Sequence, residues 1–130
     1  MILLDTHALL WLALESAKLS ARAKAAIREA RDSADPLAVS DITLFEVAAA
    51  ESKKRLRLTT SLETFFSEIE SKFVVLPITG AICVRAFTFP ADYPGDPADR
   101  IIGATALVHG IPLLTADRLI RQSQAIHTIW

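Results

Sequence analysis

Four acidic residues stand where they could do chemistry. Asp5 ends the apolar run Met1–Leu4, and Asp117 closely follows Leu113–Leu114–Thr115. Asp99 falls in the first turn of a segment opened by Asp96 and Pro97. Glu46 shares a helical face with Ile42, Ala49 and Ala50, while Glu51 points to the opposite side. Taken singly, each has a bland explanation. Asp5 or Asp117 alone reads as an N-cap. Asp99 alone reads as a favourable charge at a helix N-terminus. A carboxylate on an apolar face, as at Glu46, must be paired with a base or hold a metal. Taken together, gathered ionised carboxylates repel one another, and a divalent cation resolves the repulsion. Oxygen donors suit Mg²⁺ or Mn²⁺, and such a site suits phosphodiester hydrolysis. His7, His109 and His127 show no zinc-like spacing with each other or with Cys83.

The elements that must position these acids follow from patterning. Met1–Leu4 is short and apolar, as a buried strand is, and Thr6–Leu14 reads as a helix with few polar breaks. Ser20–Arg31 is a second helix, with Ser20 as its cap. The loop Asp32–Pro36 leads to a strand at Leu37–Ser40 and a helix at Asp41–Lys54. Leu62, Phe65, Phe66, Ile69 and Phe73 follow one helix face, which predicts a helix over Ser61–Ser71. Phe73–Ile78 is β-branched and strand-like, and Thr79–Thr88 is a helix. Two prolines and a glycine make Phe89–Gly95 a loop. Asp96 caps the next helix, Pro97 starts it and Gly110 stops it. Pro112–Thr115 is a strand, Asp117–Gln122 a short helix and Ala125–Ile129 an edge strand. Strands alternating with helices imply a parallel sheet covered on both faces. In such sheets, ligands bind at the carboxyl ends of the strands, where these acids fall.

Composition bounds the reading. A chain of 130 residues suits one domain, and 52% hydrophobic against 22% charged residues excludes disorder. The net charge of −1 is neutral evidence about nucleic acid. Without the four acids, 14 basic residues face 11 acidic ones, a remainder of +3. The single Cys83 forms no internal disulfide, sits in the apolar stretch Ala81–Ala86 and reads as buried. A reducing cytoplasm is the expected location. The longest apolar run, Ala8–Leu14, is too short for a membrane. It is apolar nearly all round and includes Trp11, so a partner is expected to cover part of it.

Four segments resemble, in order, the blocks of the PIN-domain family, in particular the VapC-type toxin ribonucleases of type II toxin–antitoxin systems. They are Leu3–Leu4–Asp5–Thr6–His7–Ala8–Leu9–Leu10–Trp11, Ser40–Asp41–Ile42–Thr43–Leu44–Phe45–Glu46–Val47, the segment from Asp96 to Ala106, and Leu113–Leu114–Thr115–Ala116–Asp117. The resemblance spans the chain. It implies a three-layer α/β/α sandwich around a central parallel sheet, in a single domain over residues 1–130. It implies a Mg²⁺- or Mn²⁺-dependent endoribonuclease with Asp5, Glu46, Asp99 and Asp117 as catalytic and metal-binding acids. Thr115, Ser40 and Thr6 would support them by hydrogen bonds. The third block offers two acids, of which Asp99 is assigned to the site and Asp96 to the cap. The resemblance also implies RNA as substrate, a cognate antitoxin as inhibitor and a homodimer.

Lys53, Lys54, Arg55 and Arg57 form a basic run behind the helix of Glu46. It is either a solvated helix end or a track for RNA phosphates. Arg100 and Arg118 each follow a site acid and could pair with it or touch phosphate. Rival readings fit less well. A receiver domain would show an acidic pair near Asp5 and a Lys at a late strand end. A haloacid-dehalogenase-like phosphatase would carry a second Asp where His7 stands. A PIN-fold binding module without catalysis would lack some of the acids, and none is missing.

Overall fold

The computed structural model describes all 130 residues. Five strands run β1 (Ile2–Leu4), β2 (Leu37–Ser40), β3 (Val74–Leu76), β4 (Leu113–Leu114) and β5 (Thr128–Ile129). They form one sheet in the order β3-β2-β1-β4-β5, with every pairing parallel. Seven helices cover it: α1 (Thr6–Leu14), α2 (Ala21–Asp32), α3 (Asp41–Ser52), α4 (Leu62–Lys72), α5 (Gly80–Ala86), α6 (Pro97–His109) and α7 (Arg118–Ser123). This is the three-layer α/β/α sandwich expected.

Strand alternation divides the core. Ile2, Leu4, Leu37, Val39 and Leu114 face α1, α2, α3 and α4. Leu3, Ala38 and Leu113 face the other way, onto Ile102 and Ala106 of α6 and Ile120 of α7. Both faces are covered, so the strands do not alternate with polar residues; the polar ones are Ser40 at the end of β2 and Thr128 at the start of β5. Ile82 and Ala86 of α5 pack on Ala104 of α6 in a small separate cluster.

Element boundaries follow local chemistry. Ser20, Ser61 and Thr79 cap α2, α4 and α5 through side-chain oxygens that accept from Ala23, Thr64 and Ile82 N–H groups. Gly110 ends α6 in the left-handed conformation, with φ 63°. Helix α3 stops at Ser52, short of the expected Lys54, because Lys54 adopts a left-handed φ of 57°. The last strand is only Thr128–Ile129, shorter than Ala125–Ile129.

One expectation needs correction, and another is narrowed. Cys83 is exposed, not buried, because α5 turns Ile82 and Ala86 inward and Cys83 lies between them. Helix α1 is covered in part by its own chain, which leaves less of it for a partner. Trp11 packs against Trp130 and His7, with ring centroids 5.6 Å and 5.0 Å away, and Leu10 and Leu12 pack on the core. Among its large apolar residues only Leu14 is exposed, whereas Phe45, Val84, Phe87 and Leu119 are more exposed than any of them. No helix is long and apolar enough to cross a membrane.

Candidate active site

Strand pairing builds the first half of the site. The register Leu4↔Leu114 brings the residues after β1 and β4 side by side at the carboxyl edge of the sheet. Asp5 is buried there. Its Oδ1 accepts from the Thr6 N–H at 2.8 Å, and its Oδ2 accepts from the Thr115 hydroxyl at 2.7 Å. Thr115 Oγ1 in turn accepts from the Asp117 N–H at 3.0 Å. Asp117 caps α7, its Oδ1 accepting from the Ile120 N–H at 3.0 Å. One buried threonine thus links two of the acids.

His7 closes this corner, in a role that residue spacing did not indicate. Its Nε2 accepts from the Ala116 N–H at 3.1 Å, and its Nδ1 lies 3.5 Å from Asp5 Oδ2. An Nε2 that accepts places the ring proton on Nδ1, facing Asp5. His7 therefore ties the turn after β4 to the start of α1. The sequence signal was its position two residues after Asp5, which carries no meaning until β4 is known to be the neighbour.

Helices α3 and α6 supply the second half. The Thr6 hydroxyl donates to Glu46 Oε1 at 2.5 Å and lies 3.1 Å from the hydroxyl of buried Thr43. Glu46 is thus partnered by a threonine rather than by an arginine. Burial raises the Glu46 carboxyl above the usual value; the Thr6 hydrogen bond opposes this, and Asp5 and Asp96 add to the rise. Asp99 is pushed up to about 7, chiefly by burial and then by the charges of Asp5, Asp96, Asp117 and Glu46. The predicted acids are therefore close enough to feel one another.

Asp96 is the cap expected of it, with Oδ1 accepting from the Asp99 N–H at 3.1 Å. Tyr93, in the segment read only as a loop, donates its hydroxyl to the Asp99 carbonyl at 2.9 Å. Its ring is buried and stacked on Phe89, with centroids 3.9 Å apart. Gly103 makes room for it, since a Cβ there would meet the Tyr93 hydroxyl at 2.1 Å. The only sequence sign of this contact was a helix-interior glycine, a residue otherwise unfavourable there.

The supporting and basic residues divide. Thr115 and Thr6 contact the acids, whereas buried Ser40 instead caps α3 through the Ile42 N–H at 3.3 Å. Lys53 and Arg55 line a groove that also contains Glu46 and Asp96; Lys54 and Arg57 do not. Arg100 donates to the Ala86 carbonyl at 3.1 Å and joins α6 to α5. Neither Arg100 nor Arg118 forms an ion pair with a site acid.

The donor set is all oxygen, which fits a hard divalent cation and not zinc. No three acidic, cysteine or histidine side chains stand close enough together to hold an ion as they are. The fit is therefore one of chemistry and charge: burial raises the carboxyls of Asp99 and Glu46, neighbouring acids add to the rise, and a cation would offset both.

Known proteins share this fold and much of this sequence. The PIN domain family model matches residues 2–124. Ribonuclease VapC22 of Mycobacterium tuberculosis is 35% identical over 131 residues, covering 99% of this chain and 98% of that protein. A toxin-antitoxin complex from Klebsiella pneumoniae contains a chain of 28% identity and TM-score 0.58, covering 90% of this chain and 87% of that one. The fold is also shared by VapBC2 from Rickettsia felis, at TM-score 0.75 and 13% identity, covering 98% of this chain and 97% of that one. The chain belongs to the PIN-domain family and is a VapC-type member of it.

Proposed function

We propose that this chain is a metal-dependent endoribonuclease toxin that hydrolyses RNA phosphodiester bonds through Asp5, Glu46, Asp99 and Asp117. The observation that carries the reading is the joining of Asp5 and Asp117 through Thr115 at one sheet edge, with Asp99 near enough that the charges of Asp5, Asp117 and Glu46 add to the rise that burial gives it. Such charge crowding at a half-buried edge is costly for stability and is characteristic of functional sites. Similarity to a protein named as a VapC ribonuclease supports the same activity.

The four acids would hold Mg²⁺ or Mn²⁺, which supplies charge neutralisation at phosphate and an activated water. The chain's own residues do the positioning. Thr115 and the Thr6 N–H orient Asp5, and the Thr6 hydroxyl orients Glu46. His7 and Thr115 hold the turn that presents Asp117. Helices α1, α6 and α7 begin at this edge, and their N-termini favour an anionic substrate.

A cognate antitoxin is the proposed inhibitor, supported by likeness to a chain in a toxin-antitoxin complex. A groove of about 310 Å³ between α1, α2 and α4, lined by Leu12, Leu14 and Phe73 together with Arg31, Glu68 and Lys72, offers a mixed apolar and charged surface for one of its segments. Self-association into a homodimer and residence in the cytoplasm belong to the same reading.

Incubating the purified chain with RNA, Mn²⁺ and then EDTA tests the proposal. Cleavage is expected with metal and is expected to stop on chelation. A folded, metal-loaded chain that cuts no RNA would overturn it and favour a binding module.

A further inference from the structure

We propose that Phe45 is a stacking platform for a base of bound single-stranded RNA, in a groove between α3 and α6 that runs from Glu46 to Lys53 and Arg55. The inference rests on the reading of the acids as an RNA phosphodiesterase.

Phe45 is 70% exposed, although it sits next to Glu46 in the sequence. A phenyl ring in water forfeits the stabilisation that burial would give. Its place on α3 is therefore not explained by folding. The groove beside it has a volume of about 530 Å³, with Phe45, Glu46, Lys53 and Arg55 on one side and Asp96 and Pro97 on the other. Helical spacing puts Glu46 and Lys53 on one face, seven residues or about 10 Å apart along the axis. Between them stand Ala49 and Ala50, too short to fill the groove.

Charge along the groove is separated. The acids lie at one end and the cations at the other, and neither Lys53 nor Arg55 enters any ion pair of the chain. A nucleic-acid strand matches this arrangement: its reacting phosphate sits at the acid end, and a neighbouring phosphate reaches Lys53 and Arg55. Its bases need an apolar surface, and Phe45 provides one. Unpaired RNA exposes base faces for stacking on aromatic rings, whereas a duplex hides them. A protein segment would cover Phe45 with no need of the two free cations, so the charge pattern favours RNA.

The test measures binding of a short labelled single-stranded RNA by fluorescence anisotropy. An Asp5→Asn background is used so that the RNA is held and not cut. Phe45→Ala is expected to weaken binding about tenfold or more, the usual loss of one base–aromatic stack. Phe45→Tyr should bind nearly as the parent does. Phe45→Leu, which keeps apolar bulk without a ring face, should resemble Phe45→Ala. Replacing Lys53 and Arg55 with alanine should flatten the slope of log affinity against log salt by about 1.4, the loss of two phosphate contacts on a single strand. Unchanged binding by Phe45→Ala, or full affinity in Phe45→Leu, overturns the inference. A change in sedimentation of Phe45→Ala with unchanged RNA affinity also overturns it, and assigns the face to a protein contact. Cleavage by the unaltered chain in Mn²⁺ separates the two failures: if it cuts RNA, only the Phe45 assignment falls, and if it neither binds nor cuts, the nuclease reading falls with it.

Discussion

The site has two corners that treat a carboxylate in opposite ways. At the β1–β4 corner, Asp5 is almost wholly buried yet accepts hydrogen bonds on both oxygens. At the α3–α6 corner, Asp99 is half-buried and its carboxylate accepts no hydrogen bond; burial pushes it up to about 7, and the charges of Asp5, Asp96, Asp117 and Glu46 add to the rise. Burial costs a charge less when donors replace the lost water. Asp5 is therefore held in place by the protein, whereas the charge of Asp99 depends on what binds beside it.

Substituting the two acids is expected to give the largest effects and to separate the corners. Asp5→Asn and Asp99→Asn should each lower RNA cleavage by more than about 100-fold, exceeding the usual loss when only an outer-shell partner is removed. Their metal-free stabilities should diverge. Repulsion alone would let Asp5→Asn stabilise the fold, but that change also weakens two charge-assisted hydrogen bonds. Asp99→Asn loses none and sheds the repulsion. Thermal melts in EDTA should show Asp99→Asn above the parent and Asp5→Asn not. Equal gains in both variants would remove the distinction between the corners.

A smaller effect sharpens the α3–α6 corner. Asp96→Ala removes the hydrogen bond to the Asp99 N–H and should cost roughly 1 kcal/mol of stability. Cleavage should remain mostly intact at a temperature where the variant is folded. If Asp96→Ala abolishes cleavage while Asp99→Asn spares it, the catalytic acid of this helix is Asp96.

The smallest effect is on pH dependence. A folded-state carboxyl raised from the usual value of 3.8 to about 7 binds its proton more tightly in the folded chain than in the unfolded one. Its contribution to stability is complete below about pH 4 and is lost as pH rises toward 7. Solvent screening of this partly exposed group keeps the effect modest. Metal-free protein should therefore lose some melting temperature across that window, and Asp99→Asn should lose less. An identical slope in the two proteins would mean that other groups set it.

Much of this architecture was legible in the residues. The sharp signals were short-range: Ser20 and Asp96 cap the helices they precede, and Gly110 stops α6 where a left-handed residue is required. Asp5 and Asp117 at strand ends already pointed to one sheet edge, because a parallel sheet puts all its carboxyl ends there. Cys83 was misread, and the cover that the chain itself gives α1 was not foreseen, for a common reason. An apolar neighbourhood in sequence does not say which side of a short helix faces inward, nor that a distant Trp130 returns to pack on Trp11.

The order of the chain specified which residue types would meet at the site, since capping, periodicity and strand ends are local properties of ten or so neighbours. The partners were decided only when the strands took the order β3-β2-β1-β4-β5. That order makes β4 the neighbour of β1 across more than a hundred residues, so that Thr115 reaches Asp5 and the Ala116 N–H reaches His7. It also sets Tyr93 into the notch at Gly103, against the Asp99 carbonyl. A hydrogen bond depends on a few tenths of an ångström between atoms far apart in the chain, and no local pattern of residues carries that distance.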